Sequence, residues 1–127
     1  AAVADWRPAQ HSSKKLKLKG DAAPHLSLEM VENPDLLTSV ATPTPGRPRL
    51  VVGFAAETDH VEMHAKAKLL KKGCDWIVAN DVSREGVMGG DQNAVLFVTA
   101  EGTERWGVTS KAEIARELAA RLEAALA

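Results

Sequence analysis

Hydrophobic positions in this chain change period several times, and each change marks an element. Two short runs are apolar almost throughout, Leu50 to Ala55 and Trp76 to Ala79, and each passes into acidic or amide residues. Runs of that length read as strands buried on both faces, the habit of a parallel sheet. Between them, Asp59 with Glu62 spells a capping box for a helix up to Lys72, and Gly73 supplies its C-cap. A strand from Ala94 to Thr99 follows, with a hairpin partner from Glu104 to Val108. Ser110 with Glu113 caps a last helix, in which Ile114, Leu118, Leu122 and Leu126 form one buried stripe. Glu117 and Arg121 sit one turn apart on its solvent side.

The first third is organised differently. Ala1 to Asp5 reads as a buried strand leaving its sheet at Asp5-Trp6-Arg7-Pro8. From Lys15 the pattern alternates strictly, with Lys15, Lys17 and Lys19 on one face and Leu16 and Leu18 on the other. Alternation resumes after a turn-rich stretch, with Leu26, Leu28 and Met30 opposing Ser27 and Glu29. The two segments predict an antiparallel ribbon with one apolar face. A lone hairpin is marginal in water, so that face calls for cover from its own sheet or a second subunit. Asn33-Pro34-Asp35 reads as a helix start, with Asn33 as N-cap and a short helix ending before Pro43. The element order predicts an α/β fold: a Rossmann-like, mainly parallel sheet with flanking helices, an antiparallel end and an inserted ribbon at about residues 9–31.

Composition narrows the partners. A net charge of −1 over 127 residues argues against a general nucleic-acid binder, because the lysines are grouped rather than in excess. No apolar run approaches the roughly 20 residues that span a bilayer. A single cysteine, Cys74, permits no internal disulfide, which suits a reducing cytoplasm. The chain opens without a methionine on AAVAD, as if inside a strand, so it is expected to be the C-terminal portion of a single larger domain.

Candidate chemistry gathers at the strand ends. In open α/β sheets ligands sit outside the carboxyl ends of the parallel strands. Asn80 and Asp81, directly after an apolar run, stand at such an end. Lys68 and Lys72 project from one helix face and could clamp a triphosphate, or simply complement the negative end of the helix. The ribbon lysines could reach an anionic substrate, or guard an edge strand against aggregation. Asp5 could bind a ribose hydroxyl or a metal-bound water, or merely stop a strand. His60 and His64 are four apart, but HVEMH lacks the glutamate that zinc proteases carry directly after the first histidine, which favours two exposed helix histidines. Cys74 reads as buried filler, and Gly86 to Gly90 lacks the lysine and spacing of a phosphate-binding loop.

Taken together, AAVADWRP, the KLK ribbon, MVENPDLL, VVGFAAET, and VANDVS followed by DQNAV resemble bacterial phosphopantothenate–cysteine ligase, over essentially the whole chain and in that family's order. The resemblance implies the C-terminal part of the synthetase domain of a bifunctional coenzyme A biosynthesis flavoprotein. It implies that the carboxylate of 4′-phosphopantothenate attacks the α-phosphate of CTP and expels pyrophosphate to give an acyl-cytidylate, from which the cysteine amine then displaces CMP to form the amide. Mg²⁺ would help neutralise the phosphates, and FMN would belong only to a decarboxylase domain preceding this chain. Mapped by motif, CTP contacts fall at Ala1, Asp5, Pro34, Asp35, Leu36, Leu37, Phe54, Lys68 and Lys72, with Asn80 as a further motif residue. Lys15 corresponds to the reactive-site lysine, and the ribbon at 15–30 would cross to a second subunit to make a homodimer.

Two departures stand out. The family's ribbon reads K-x-K-K, whereas this one reads Lys15-Leu16-Lys17-Leu18 with Lys19 one step late. The family's N-terminal stretch, with a glycine-rich strand turn and an asparagine that handles the acyl-cytidylate, has no counterpart here, so this chain alone is expected not to complete turnover. The alternative function is a non-catalytic nucleotide-binding and dimerisation module. A Rossmann dehydrogenase is disfavoured, since no glycine fingerprint follows a strand.

Overall fold

A computed structural model describes residues 3–13, 27–82 and 91–127, which form two compact units divided between Asp35 and Leu36. In the first unit, strand β1 (Trp6–Pro8) pairs antiparallel with β2 (Met30–Glu32), Pro8 lying opposite Met30 and Trp6 opposite Glu32. The second unit runs α1 (Leu36–Ala41), β3 (Val52–Glu57), α2 (Val61–Lys72), β4 (Trp76–Asp81), β5 (Gln92–Val98), β6 (Thr103–Ser110) and α3 (Lys111–Leu126).

The sheet of the second unit has four strands in the order β3-β4-β5-β6. β3 and β4 are parallel, as a crossover through α2 requires, whereas β4–β5 and β5–β6 are antiparallel. The α/β class is as expected and the antiparallel end is present, but the sheet is mixed rather than mainly parallel. Apolar runs report that a strand is buried on both faces. They carry no information on the direction of its neighbour.

Alternation along the strands sends side chains to two separate clusters. Ala55, Ile77, Ala79, Leu96 and Val98 pack with Ala65 and Leu69 of α2 and with Leu37 of α1. Val78, Val95 and Phe97 pack on the other face with Trp76, Trp106, and Ile114 and Leu118 of α3. Gly53 is what lets α1 approach: a β-carbon there would lie 2.7 Å from Ile77 Cδ1 and 2.8 Å from Leu37 Cδ2. One guanidinium ties the opposite end of the parallel pair. Arg47 donates to the carbonyls of Ala41 and Gly73 and to Asp75 Oδ2 at 2.8 Å, and that oxygen also accepts the Val51 N–H.

Several helix ends differ from expectation. Ser110 and Glu113 do form a capping box, and Gly73, at φ 69°, closes α2 with its N–H on the Leu69 carbonyl. The start of α2 is different: its N-cap is His60, in the left-handed region at φ 44° and with no side-chain cap. Glu62 is not available to complete a box because it accepts Lys66 and Arg105, each at 2.8 Å. Asn33 does not cap α1 either. Its side chain donates to the Ala4 carbonyl and accepts from Arg7, and its N–H bonds the Asp5 carbonyl, so it fastens the chain around β1. Val3 to Asp5 are exposed and outside any strand, and strand pairing begins only at Trp6, so the buried-strand reading of this segment does not hold. The stripe on α3 is also shallower than expected, since Ile114, Leu118 and Leu122 are half-buried and Leu126 is exposed.

Candidate functional site

The carboxyl ends of β3 and β4 lie side by side, Ala56 opposite Asn80 and Glu57 opposite Asp81. The parallel ladder closes one residue further on, where the Val82 N–H bonds the Glu57 carbonyl at 3.0 Å. Asn80 and Asp81 are half-buried, as befits polar groups at the rim of a core. Asp81 also lines a depression of about 550 Å³ with His60, Val61, Glu62, Met63, Lys66 and Arg105.

α2 reaches over this rim in two directions. Its first turn leans towards β6 through Glu62, whose carboxyl is held below the usual carboxylate range by the Lys66 hydrogen bond and charge and then by Arg105. Its third turn leans towards β3: Lys68 Nζ donates to Glu57 Oε1 at 3.2 Å. The other carboxylate oxygen of Glu57 lies 3.6 Å from Nδ1 of His64. His60 and His64 are exposed, their rings edge to face, 6.3 Å apart. Cys74 is buried, as expected, and that burial pushes its thiol pKa up.

The residues singled out in the sequence are placed as follows. Lys68 and Lys72 lie one turn apart on α2. Leu36 and Leu37 open α1; Leu37 packs into the core against Gly53, and Leu36 is exposed. Phe54 is 49% exposed and leaves β3 on the α3 side, since it shares its parity with Val52 and not with Ala55. Lys68 and Glu57 are on the α2 side. Phe54, on β3, and Lys68, on α2, therefore lie on opposite faces of the sheet. Asn80 shares the face of Phe54, and Asp81 that of Glu57. Asp5, Pro34 and Asp35 belong to the other unit, where the Asp5 carbonyl is held by Asn33. Ala1, Lys15, Lys17 and Lys19, the leucines at 16, 18 and 26, and Gly86 to Gly90 lie outside the described residues.

Glu57 was missed in the sequence. Its signal was present, because it ends β3 just as Asn80-Asp81 ends β4. Its partner Lys68 is separated from it by a helical crossover, which no short spacing reveals.

These features define an α/β domain with a polar rim at the ends of a parallel strand pair, flanked by helix lysines. Residues 1–126 match the family described as the DNA/pantothenate metabolism flavoprotein C-terminal domain, and the chain belongs to that family. It is 42% identical over 124 residues to the coenzyme A biosynthesis bifunctional protein CoaBC of Vibrio vulnificus (strain CMCP6), covering 97% of this chain and 30% of that protein. The CoaBC protein of Escherichia coli (strain K12) is 42% identical over 104 residues, covering 80% of this chain and 25% of that protein. The crystal structure of a C-terminal domain of CoaBC superposes with a TM-score of 0.70 at 30% identity, over 99% of this chain and 52% of that one. The flavoprotein from Streptococcus pneumoniae shares the fold, with a TM-score of 0.65 at 24% identity, over 83% of this chain and 44% of that one. The chain thus spans about 30% of the length of the first of these relatives.

Proposed function

We propose that this chain is part of the ligase of coenzyme A biosynthesis that joins 4′-phosphopantothenate to cysteine at the expense of CTP. Membership of a family whose relatives are named for coenzyme A biosynthesis supports the pathway. The observation that carries the site is the strand-end rim: Glu57, Asn80 and Asp81 in register, with Lys68 and Lys72 on the connecting helix. That is where an α/β sheet receives a nucleotide, and lysine serves a phosphate as a compact charge with several donors.

The chemistry asks little covalent work of the protein. A free carboxylate resists an amine until its oxygen is made a good leaving group, which adenylation-type transfer from CTP provides. The chain's part is then to hold the triphosphate, orient the carboxylate and offset charge at the α-phosphate. In this reading Lys68 and Lys72 hold phosphate and Leu36 and Phe54 offer exposed apolar surface; for Lys15, outside the described residues, the resemblance alone implies the reactive-site role. The nucleotide then meets Phe54 and Lys68 across the carboxyl end of β3, where the two faces of the strand come together. The resemblance also implies CTP contacts at Asp5, Pro34 and Asp35, which belong to the other unit.

Among the described residues no three His, Cys, Asp or Glu side chains gather to hold a metal. Mg²⁺ in this reading would be held mainly by the CTP phosphates and water, which calls for few protein ligands. FMN would belong to a decarboxylase domain where one precedes this chain in the native protein. A homodimer through the ribbon is part of the proposal. Leu28 and Met30 are 52% and 41% exposed, and Met30 shares its face with Pro8 and with the exposed Trp6. No helix among the described residues is long and apolar enough to cross a membrane.

The test is pyrophosphate release from CTP with 4′-phosphopantothenate, by this chain and by a longer protein that includes it. Release that needs both substrates and continues to amide when cysteine is added supports the ligase. CTP binding without release by either protein leaves a nucleotide-binding module instead.

A further inference from the structure

We propose that Glu57 is a positioning residue that aims the amine of Lys68 at an anionic ligand, an inference that rests on reading Lys68 as a phosphate-holding group. The lysines of α2 are not equivalent. Lys66 is paired with Glu62 one turn back on its own helix, at 2.8 Å, as on many solvated helix faces. Lys68 is instead held across to the sheet, by a carboxylate on the last residue of β3.

That carboxylate is well fixed. The Glu57 backbone is in register with Asp81, its carbonyl accepts the Val82 N–H, and its side chain is only 19% exposed. One oxygen takes Lys68 and the other faces His64, so both sides of the carboxylate are engaged by α2. An ammonium has three donors. One spent on Glu57 leaves two for a phosphate, at an amine that has already given up much of its rotamer freedom before the ligand arrives.

The arrangement makes a prediction about sign. Glu57 carries a negative charge beside the proposed anion site, so Coulomb repulsion alone says that removing it should tighten anion binding. Orientation says the reverse. Glu57→Gln separates the two effects, because it discards the charge and keeps an oxygen that can accept from Lys68.

The experiment is calorimetric titration of the 127-residue chain with inorganic triphosphate and with CTP, with thermal unfolding of each variant recorded alongside. Glu57→Ala is expected to weaken triphosphate binding by roughly three- to tenfold through lost pre-organisation. Glu57→Gln should bind at least as tightly as the parent. Lys68→Ala should weaken binding by about tenfold through a lost charge-assisted bond, and the double variant should be no worse than Lys68→Ala alone. Tighter binding by Glu57→Ala, a fully additive double variant, a Lys68→Ala variant that binds like the parent, or a Glu57→Ala variant that melts lower at unchanged affinity each overturns the proposal. If Glu57→Ala does not fold, Glu57→Asp serves, since it keeps the charge but withdraws it by one methylene; weakened binding is again expected, and parent-like binding overturns. CTP binding no tighter than triphosphate would sink the cytidine reading while leaving the role of Glu57 to stand on the triphosphate results.

Discussion

One sheet carries two cores, and they are made in different ways. On the α2 side the contacts are between small or aliphatic groups: Ala55, Ala65, Ala79, Ile77 and Val98 are all at most 3% exposed. Alanines on both partners bring helix and strands close, and Gly53 does the same for α1. On the α3 side the filling is aromatic. Phe97 stacks on Trp106 at 5.3 Å and meets Trp76 edge to face, and Arg121 of α3 lies 4.9 Å from the Phe97 ring centre. No residue of α3 is fully buried. The α2 side is set by steric exclusion and fixes where Lys68 stands. The α3 side is an adaptable cover that leaves Phe54 exposed.

The sharpest way to break this contrast is to empty one position on each side. Ile77 is fully buried among the α2 contacts, and Ile77→Ala should cost about 2–5 kcal/mol, because a close-packed site cannot collapse. Ile114, half-buried on α3, should cost only roughly 1–1.5 kcal/mol as alanine, from apolar area alone. Urea unfolding of the two variants measures both. Equal costs would mean that α3 is packed as rigidly as α2, and the distinction would fall.

That contrast also explains what could be read from the sequence. The strands were legible because their apolar runs are long enough to be buried twice, and the start of α3 because Ser110 and Glu113 bond each other, with the Thr109 hydroxyl joining the cap rather than displacing it. The start of α2 was not: Glu62 has the right spacing from Asp59 but is taken by Arg105, 43 residues away. Asn33 next to Pro34 is a strong helix-start signal, overridden by bonds to Arg7 and Ala4. Of the candidate site, Asn80, Asp81, Lys68 and Lys72 were placed by pattern and topology. The opposite faces of Phe54 and Lys68 follow from β3 alternation, but only once the strand limits and the side taken by α2 are known.

A smaller effect tests whether Arg121 is the fastening of the aromatic side. Its guanidinium lies over both Phe97 and Trp106 and makes two bonds to Glu104, at 2.9 and 2.7 Å. Arg121→Met keeps an unbranched side chain over the rings and removes the cation. A loss of about 0.5–1 kcal/mol is expected from the rings, measured by thermal unfolding. No loss would show that the stacking is incidental and that α3 is held by Ile114 and Leu118 alone.

The smallest effect is in pH dependence, and it can be assigned to a single pair. The Arg121 hydrogen bonds, assisted by its charge, hold the Glu104 carboxyl below its ordinary value of 4.5. A folded value lower than the unfolded one means that the unfolded chain binds the proton more tightly. The pair's contribution is therefore complete above about pH 4.5 and is lost as pH falls through the lowered folded value. Glu113 is also lowered, but by the Thr109 hydroxyl first and then by the Ser110 cap, neither of which involves Arg121. In Arg121→Met the Glu104 titration should rise towards the ordinary value while that of Glu113 stays low, as followed by carboxyl NMR. Were both to rise together, the start of α3 would depend on Arg121. The last helix would then be a cooperative lid rather than an independently capped element resting on the aromatic face.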